Sequence, residues 1–148
     1  MRILFFVVIC VVSTSAAPTT AIKVDQVGYL PASQKLALVV TTQPARQFIV
    51  RKADDGDSVF YGRLTSPVYD PDSGDSVQIA GFSELQTEGR YYIEVPGVGT
   101  SWTFSIGRLV YRRAFYLALR SFYGQRCGTA VDLGPEFPGF KQDRKSVV

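Results

Sequence analysis

Two carboxylates near the end of the chain have the residue types that glycoside hydrolysis requires. Asp132 and Glu136 lie four residues apart in a segment of Leu, Gly and Pro. A glycosidase needs two carboxyl groups held about 5–9 Å apart across the scissile bond. The segment has the composition of a loop, and no scaffold for holding it is evident in the chain. We therefore assign no catalytic role to Asp132 or Glu136.

Two acidic segments have the residue types of a calcium loop, because hard cations bind clustered carboxylate oxygens. These segments are Asp70–Asp75 and Asp54–Asp57. The spacing of an EF-hand fails in the first, where Gly74 comes one position early and no Glu closes the loop. Asp, Pro, Ser and Gly are also the residues that turns favour. Both segments are therefore interpreted as solvated turns.

Histidine is absent from the sequence, which excludes several kinds of site. Nucleophilic systems of the Ser-His-Asp or Cys-His type need an imidazole, and a zinc site is not expected either. Cys127 is the single cysteine after the N-terminal segment. Since small domains built on disulfides carry an even set, Cys127 is interpreted as a buried thiol or as one whose partner is missing. We expect no cofactor and no metal, and assign no catalytic, cofactor-binding or metal-binding residue.

Residues 1–16 have the pattern of a secretory signal peptide. Arg2 provides the positive start, Ile3–Val12 is a continuous apolar run, and small residues follow up to Ala16. The run is too short to cross a bilayer as a helix, which needs about 20 residues. We expect cleavage after Ala16 and a secreted or periplasmic chain without a membrane anchor. The net charge of +3 falls to +2 when Arg2 is removed, and because the basic residues are scattered no nucleic-acid partner is expected.

Between Ile22 and Ile106 the sequence predicts seven short β-strands separated by turns. The strands are Ile22–Val27, Lys35–Thr41, Gln47–Arg51, Ser58–Leu64, Ser76–Ala80, Arg90–Val95 and Ser101–Ile106. Short strands at intervals of roughly 8–15 residues are typical of an antiparallel β-sandwich. The sequence therefore predicts a sandwich domain over residues 17–107.

Alternation assigns the buried face of the last two predicted strands, because successive side chains of a strand point to opposite faces. The expected core residues are Tyr91, Ile93 and Val95 from one strand, and Trp102, Phe104 and Ile106 from the next. The start Gly89-Arg90-Tyr91 also resembles a tyrosine corner, in which a Tyr hydroxyl bonds back to the backbone near the beginning of a strand.

Aromatic side chains are abundant, with 10 Phe, 8 Tyr and 1 Trp, and flat aromatic faces can stack against sugar rings. Most of them alternate into the predicted core. Tyr61, Tyr69 and Tyr92 remain as candidates for the surface. Three scattered tyrosines are a weak signal, so core or incidental surface positions are favoured over a sugar-binding platform.

A helical period begins after Arg108. No Pro or Gly occurs from Leu109 to Tyr123, and at about 100° per residue the apolar side chains fill an arc of roughly 200°. A helix that rests on one sheet needs an apolar stripe only a little over 100° wide. The pattern predicts a helix with partners on two sides, which is the beginning of a second, helical domain over residues 108–142.

The opening of the sandwich carries a family resemblance. Ile22-Lys23-Val24-Asp25-Gln26-Val27-Gly28-Tyr29-Leu30-Pro31 closely resembles the start of the immunoglobulin-like domain that precedes the catalytic domain in many glycoside hydrolase family 9 enzymes. Matching motifs follow in the same order, at Ser73-Gly74 with Val77, Phe82-Ser83, Gly89–Ile93 and Phe104–Ile106. Ala118–Gly128 and Asp132–Phe140 resemble the first helix and the following loop of that family's (α/α)6 barrel. The resemblance covers residues 21–141.

The resemblance implies a mostly β chain, with an immunoglobulin-like antiparallel β-sandwich followed by one α-helix of an incomplete (α/α)6 barrel. Family members are mostly inverting β-1,4-glucanases that act on cellulose and related glucans. Their catalytic base lies in an Asp-Ala-Gly-Asp motif and their acid is a Glu near the C-terminus, and this chain contains neither motif. Since inverting hydrolysis needs both carboxylates, we predict no hydrolase activity for the chain alone. The sandwich is expected to buttress the barrel, and β-glucan would bind through the missing catalytic domain.

Two further expectations follow from the resemblance. Cys127 matches a position that, in some relatives, helps bind a structural zinc together with a later Cys-His pair that this chain lacks. Residues 143–148 depart from the family pattern and are interpreted as an artefactual tail on a truncated gene fragment.

The alternative hypothesis is a stand-alone extracellular immunoglobulin-like module for carbohydrate binding or adhesion. It requires an exposed row of aromatic side chains, which the sequence does not identify. The wide apolar arc of the helix also counts against it, because uncovered apolar patches drive association.

Overall fold

The structure of the 148-residue chain is a computed structural model that describes residues 17–126, 128, 130–138 and 141–142. The predicted signal peptide, Cys127 and the predicted tail 143–148 lie outside the described residues. Within these described ranges, no helix combines the length and the apolar character that crossing a membrane requires.

The described residues form two antiparallel β-sheets, a helix and a short terminal ladder. The strands before the helix are β1 (Ile22–Lys23), β2 (Leu36–Val40), β3 (Gln47–Lys52), β4 (Ser58–Arg63), β5 (Val68–Asp70), β6 (Asp75–Gly81), β7 (Gly89–Val95), β8 (Gly99–Thr100) and β9 (Phe104–Ile106). Helix α1 spans Arg112–Gly124, and the paired strands β10 (Val131–Asp132) and β11 (Lys141–Gln142) follow it. The predicted fold class, a mostly β sandwich followed by a helix, is confirmed.

The core lies between a four-stranded sheet in the order β1-β2-β6-β5 and a five-stranded sheet in the order β4-β3-β7-β8, in which β9 also pairs with β7. Val39 and Ala80 enter the core from the first sheet, and Phe48, Val50 and Ile93 enter it from the second; none of these five side chains is exposed. Alternate residues of β2, β3, β6, β7 and β9 supply this core, as expected for a sandwich whose other two faces meet solvent.

The predicted tyrosine corner is present at the start of β7. The Tyr91 hydroxyl donates to the Thr87 carbonyl oxygen at 3.0 Å. Tyr91, Ile93 and Val95 are all buried, as alternation predicted. The hydrogen bond therefore fixes the entrance of a strand whose inward face contributes directly to the core.

The first predicted strand is shorter than expected, because this segment is shared between the two sheets. Pro18 forms a parallel bridge with Thr100 of the five-stranded sheet. Ile22–Lys23 then pairs with β2 of the four-stranded sheet. Tyr29 returns to form a parallel bridge with Ile106. The prediction of a strand continuing to Val27 is wrong, because the chain crosses from one sheet to the other there.

A β-bulge interrupts the partner strand of β7. Glu94 pairs with Thr100, whereas Tyr91 pairs with Phe104. The chain between Thr100 and Phe104 is therefore one residue longer than the stretch of β7 it faces. One inserted residue changes which face the following side chains occupy.

The bulge corrects the position predicted for Trp102. Ser101 takes the inward position and is buried, and its Oγ accepts the Ile93 N–H at 2.9 Å. Trp102 is 53% exposed, so its assignment to the core is wrong. Phe104 and Ile106 are buried as predicted. The prediction from strict alternation fails at Trp102, because one residue is inserted before Phe104 and an alternating pattern does not allow for an insertion.

Candidate functional site at the junction of the sandwich and helix α1

Residues 18–29, which cross between the two sheets, are here called the crossing segment. Gly28 lies where this segment meets the chain that leads to α1. The Tyr29 N–H donates to the Ser105 carbonyl oxygen at 2.8 Å, and the Gly107 N–H donates to the Tyr29 carbonyl oxygen at 3.0 Å. Gly28 has φ 110°, and a Cβ at this position would lie 2.5 Å from the Ser105 carbonyl oxygen and 3.2 Å from Val110 Cγ1. Only glycine permits so close an approach of the two backbones. The Gly-Tyr pair of the opening motif is therefore a structural requirement of the junction.

The buried side chain of Tyr29 holds the crossing segment against the core. Its hydroxyl accepts the Asp25 N–H at 2.9 Å and donates to the Leu36 carbonyl oxygen at 2.7 Å. Its ring makes edge contacts with Phe82 and Phe104 at centroid distances of 5.3 and 5.4 Å. Burial raises the pKa of Tyr29, which keeps its hydroxyl protonated as a donor. The bond with Asp25 closes the loop on itself, and the bond to Leu36 ties it to β2.

Tyr111 attaches the helix to this loop. It lies directly before α1, and its hydroxyl donates to the Gly28 carbonyl oxygen at 3.0 Å and lies 3.5 Å from Asp25 Oδ2. Burial and the Asp25 charge raise the pKa of Tyr111. A second link is the exposed ion pair between Arg108 Nε and Glu88 Oε1, at 3.4 Å. These contacts fix the point at which the chain leaves the sandwich.

A buried lysine supports the turn beside the junction. Lys35 is fully buried, and its Nζ donates to the carbonyl oxygens of Pro31 at 2.6 Å, Ser33 at 2.9 Å and Leu30 at 3.4 Å. Desolvation lowers the pKa of Lys35, while the carbonyl dipoles take the place of water. Sequence reasoning missed this role, since lysine is ordinarily exposed and its partners are backbone atoms that no motif identifies.

Helix α1 leaves most of its apolar side chains uncovered within the described part of the chain. Phe115, Leu119 and Phe122 are 64%, 52% and 72% exposed, respectively. Gly124 is its one buried residue. The wide apolar arc predicted from the sequence is therefore present as an exposed surface.

One side of α1 is covered by the loop that follows it. Glu136 accepts hydrogen bonds from the Tyr116 hydroxyl at 2.6 Å and from Arg113 Nη1 at 2.5 Å. These two bonds, that of Tyr116 first, lower the pKa of Glu136. Arg120 donates to the Leu133 carbonyl oxygen. The Glu136 carboxylate therefore anchors the loop on the helix.

The two carboxylates considered for catalysis have separate structural partners. Asp132 Oδ1 accepts the Gly134 N–H at 2.8 Å, and Glu136 is engaged by Arg113 and Tyr116. A general acid needs a raised pKa, whereas that of Glu136 is lowered. This geometry gives both carboxylates a role in the shape of the loop.

We predict that acid releases the loop 130–138 from α1. Because the pKa of Glu136 is lowered from its usual value of 4.5, its stabilising contribution is complete above that pH and is lost as the pH falls through the lower, folded value. Hydrogen–deuterium exchange of a peptide covering 130–138, corrected for intrinsic rates, should show this loss of protection. E136Q should lack the protection already at neutral pH, with E84Q, at an exposed glutamate, as the control. An unchanged acid transition in E136Q would contradict the assignment.

The acidic segments cap their own turns. Asp70 Oδ2 accepts the Ser73 hydroxyl at 2.7 Å and Asp70 Oδ1 accepts the Asp72 N–H at 3.2 Å, which lowers the pKa of Asp70. Asp55 Oδ1 accepts the Asp57 N–H at 2.9 Å. In the described ranges, no group of three or more His, Cys, Asp or Glu is arranged to hold a metal ion. These carboxylates act as turn-forming residues.

The three surface tyrosines do not form one group. Tyr61 and Tyr92 lie on β4 and β7 of the five-stranded sheet, whereas Tyr69 lies on β5 of the other sheet. Tyr61 and Tyr69 are both strongly exposed. The structure therefore brings two of the three candidates to the same sheet.

These observations define an immunoglobulin-like sandwich that is joined to a helix. The junction requires glycine at position 28, where two backbones approach closely. Residues 17–100 match the family model described as the cellulase N-terminal ig-like domain. The chain belongs to this family.

Known proteins that resemble the chain are glucan-degrading enzymes by name. Endoglucanase D of Acetivibrio thermocellus is 40% identical over 110 residues, which are 74% of this chain and 17% of that protein. A xyloglucan-specific endo-β-1,4-glucanase of Bacteroides ovatus is 34% identical over 132 residues, covering 89% of this chain and 22% of that protein. The chain thus spans about a fifth or less of these relatives.

The chain also resembles solved structures of family 9 endoglucanases. A metagenome-derived glycoside hydrolase family 9 endoglucanase superposes with a TM-score of 0.65 at 38% sequence identity. The match covers 76% of this chain and 22% of the solved one. The family resemblance noted from the motifs is therefore confirmed.

Proposed function

We propose that the chain is the N-terminal part of a secreted family 9 glycoside hydrolase that degrades β-1,4-glucan, exported through residues 1–16. In this protein the immunoglobulin-like sandwich does no chemistry and holds α1 as the first element of a catalytic domain. The names of the relatives support the glucan substrate class. Their coverage of the chain supports its position at the N-terminal end of a longer enzyme.

The junction is the observation that carries this proposal. The Tyr111 hydroxyl donates to the Gly28 carbonyl oxygen, and the backbone hydrogen bonds of Tyr29 with Ser105 and Gly107 hold the adjacent Gly28 in place. The sandwich thereby positions the first turn of α1, while the exposed Phe115, Leu119 and Phe122 offer a surface for further helices. An apolar helix face of this kind gains stability when neighbouring helices cover it.

The test measures release of reducing sugar from carboxymethylcellulose. The purified chain is expected to release none, because it contains neither of the two motifs that supply the carboxylates for inverting hydrolysis. The gene read beyond codon 142 is expected to continue in frame to an Asp-Ala-Gly-Asp motif, and its complete product should hydrolyse the polymer. Activity in the chain alone, or a genuine stop after codon 142, would refute the proposal.

A control for the buttressing role uses two matched variants of the complete enzyme. Y111F removes the hydroxyl that bonds to Gly28, and we expect its activity to be lost at a lower temperature than that of the unaltered enzyme. Y69F removes a hydroxyl from an exposed tyrosine on β5 and should leave the inactivation temperature unchanged. Equal inactivation temperatures for Y111F and the unaltered enzyme would argue against buttressing through this contact.

A further inference from the structure

We propose that the outer face of the five-stranded sheet binds a β-linked glucan chain through Tyr61, Tyr92 and Trp102, here called the aromatic row. The sheet face itself points to a neutral sugar chain. Its identification as a β-glucan rests on the proposed function, since the relatives that resemble this chain act by name on such polymers.

Strand register places Tyr61 and Tyr92 on the same outer face. Ile49 of β3 pairs with Tyr61, and Arg51 of the same strand pairs with Tyr92. Ile49 and Arg51 alternate with the buried Val50, so both face away from the core. Strands lie about 4.8 Å apart and residues rise about 3.3 Å each, which places the two tyrosine Cα atoms about 12 Å from one another. Arg51 occupies the position between them.

The bulge adds Trp102 to this face. Ser101 donates its N–H to the Ile93 carbonyl oxygen, and Phe104 pairs with Tyr91. Both residues between them, Trp102 and Thr103, therefore oppose Tyr92, as the two residues of a bulge oppose one partner. Both are exposed. The inserted residue thus extends the row of aromatic side chains onto a third strand position.

Exposure and shape favour a stacking surface. Tyr61 is 69% exposed, which leaves its ring open to a ligand. Thr103, Tyr92 and Glu94 line a surface cavity of about 430 Å³ beside the row. The rings of a β-linked glucan are flat and present C–H bonds on both faces, which suits contact with the electron-rich face of an aromatic ring. A row of aromatic side chains along a sheet, with Tyr61 and Trp102 exposed and Tyr92 half-buried between them, matches an extended chain of such sugars.

The polar groups between the rings suit a neutral ligand rich in hydroxyls. Arg51 Nε and Glu94 Oε2 form an ion pair at 2.5 Å, and Arg51 Nη1 also donates to the Gly56 carbonyl oxygen at 3.0 Å. These bonds hold the guanidinium in one position. Sugar hydroxyls both donate and accept, so the paired cation and carboxylate offer partners for each role. Because the two charges cancel, this pair gives no preference for an anionic polymer.

The chain provides its own probe for this site, because Trp102 is its single tryptophan. Titration of the full chain with cellohexaose, followed by tryptophan fluorescence, should shift the emission to shorter wavelength as sugar replaces water at the indole. Affinity electrophoresis in gels containing hydroxyethylcellulose should retard the chain. Y61A, which keeps the tryptophan, should weaken binding about tenfold, equivalent to about 1.4 kcal/mol.

A matched control is available on the opposite sheet. Y69A removes the same atoms from a tyrosine that is 65% exposed on β5, and its binding should equal that of the unaltered chain. Circular dichroism should show both variants folded, since each ring is exposed. Dextran, an α-linked glucan, and polygalacturonate, an anionic polymer, should leave the fluorescence unchanged.

Three results would overturn the aromatic row as a β-glucan site. One is the absence of both fluorescence shift and retardation, another is an equal response to dextran or polygalacturonate, and the third is an equal effect of Y61A and Y69A. If the complete enzyme releases reducing sugar while the row fails these assays, the proposed function stands without this site. A complete product that lacks hydrolysis refutes the proposed function instead, whatever the binding result.

Discussion

Substitution of Lys35 by methionine is expected to lower the free energy of unfolding of the sandwich by about 3–5 kcal/mol. The Pro31 and Ser33 carbonyl oxygens would lose the charged donor that now lies 2.6 and 2.9 Å away. Methionine fills most of the same volume, so the loss arises from hydrogen bonding and not from a cavity. Urea unfolding followed by circular dichroism measures the change.

Lys23 provides the control for Lys35. It lies on β1 and is exposed, so K23M should change the free energy of unfolding by less than about 0.5 kcal/mol. A domain of this kind has about 5–15 kcal/mol in total, and K35M should therefore move the urea midpoint far more than K23M does. Similar midpoints for the two variants would show that the buried ammonium is dispensable.

Substitution of Gly28 by alanine is expected to destabilise the chain by about 3 kcal/mol or more and to lower its melting temperature by about 10 °C. The positive φ alone disfavours a side chain, and the new Cβ would lie 2.5 Å from the Ser105 carbonyl oxygen. The backbone must move to relieve this contact. That movement would also disturb the bond from Tyr29 to Ser105 and the bond from Tyr111 to Gly28.

A substitution at Gly74 distinguishes the strain of a positive φ from the steric clash, the two reasons for the expected destabilisation by G28A. Its φ is 74°, and a Cβ there would have no atom within 4 Å. G74A should therefore show only the strain of the left-handed conformation, about 1 kcal/mol. Equal melting temperatures for G28A and G74A, measured by differential scanning calorimetry, would mean that the close approach to Ser105 is unimportant.

Local patterns in the sequence were sufficient to predict the features that depend on neighbouring residues along the chain. The inward positions of Tyr91, Ile93 and Val95 follow from alternation, and the Tyr91 corner bonds to a residue only four positions away. The apolar arc of α1 follows from its period of about 100° per residue. The fold class was predictable for the same reason, because the lengths of the strands and the positions of the turns are local features of the sequence.

Strand pairing and register, together with hydrogen bonds between residues distant in sequence, explain what the sequence did not reveal. β5 was not predicted, and its pairing with β6 is visible only in the folded sheet. Trp102 was misplaced because its face depends on the register with β7. The buried Gln78 satisfies its amide with backbone groups of Ala45 and Thr65, 33 and 13 residues away. A polar residue in a strand gives no indication of such partners.

The candidate site was predictable only in part. The Gly28-Tyr29 motif marked the junction by resemblance, yet its cause, the approach to Ser105 and Val110, joins residues about 80 positions apart. The same holds for Tyr111, whose hydroxyl reaches Gly28. Such contacts are set by topology, and no local pattern encodes them.

The parallel bridges of the crossing segment have a mechanical consequence. Pro18 forms a parallel bridge with Thr100, and Tyr29 forms another with Ile106. The hydrogen bonds from Thr19 to Thr100 and from Tyr29 to Ser105 join the same two segments, and this line of contacts is here called the seam. Tension between the N-terminal residues and α1 would act along this seam in shear. Bonds loaded in shear share the force and break together, whereas bonds at a peeling edge break one at a time. The sandwich is therefore built to resist pulling forces transmitted from its N-terminus to α1.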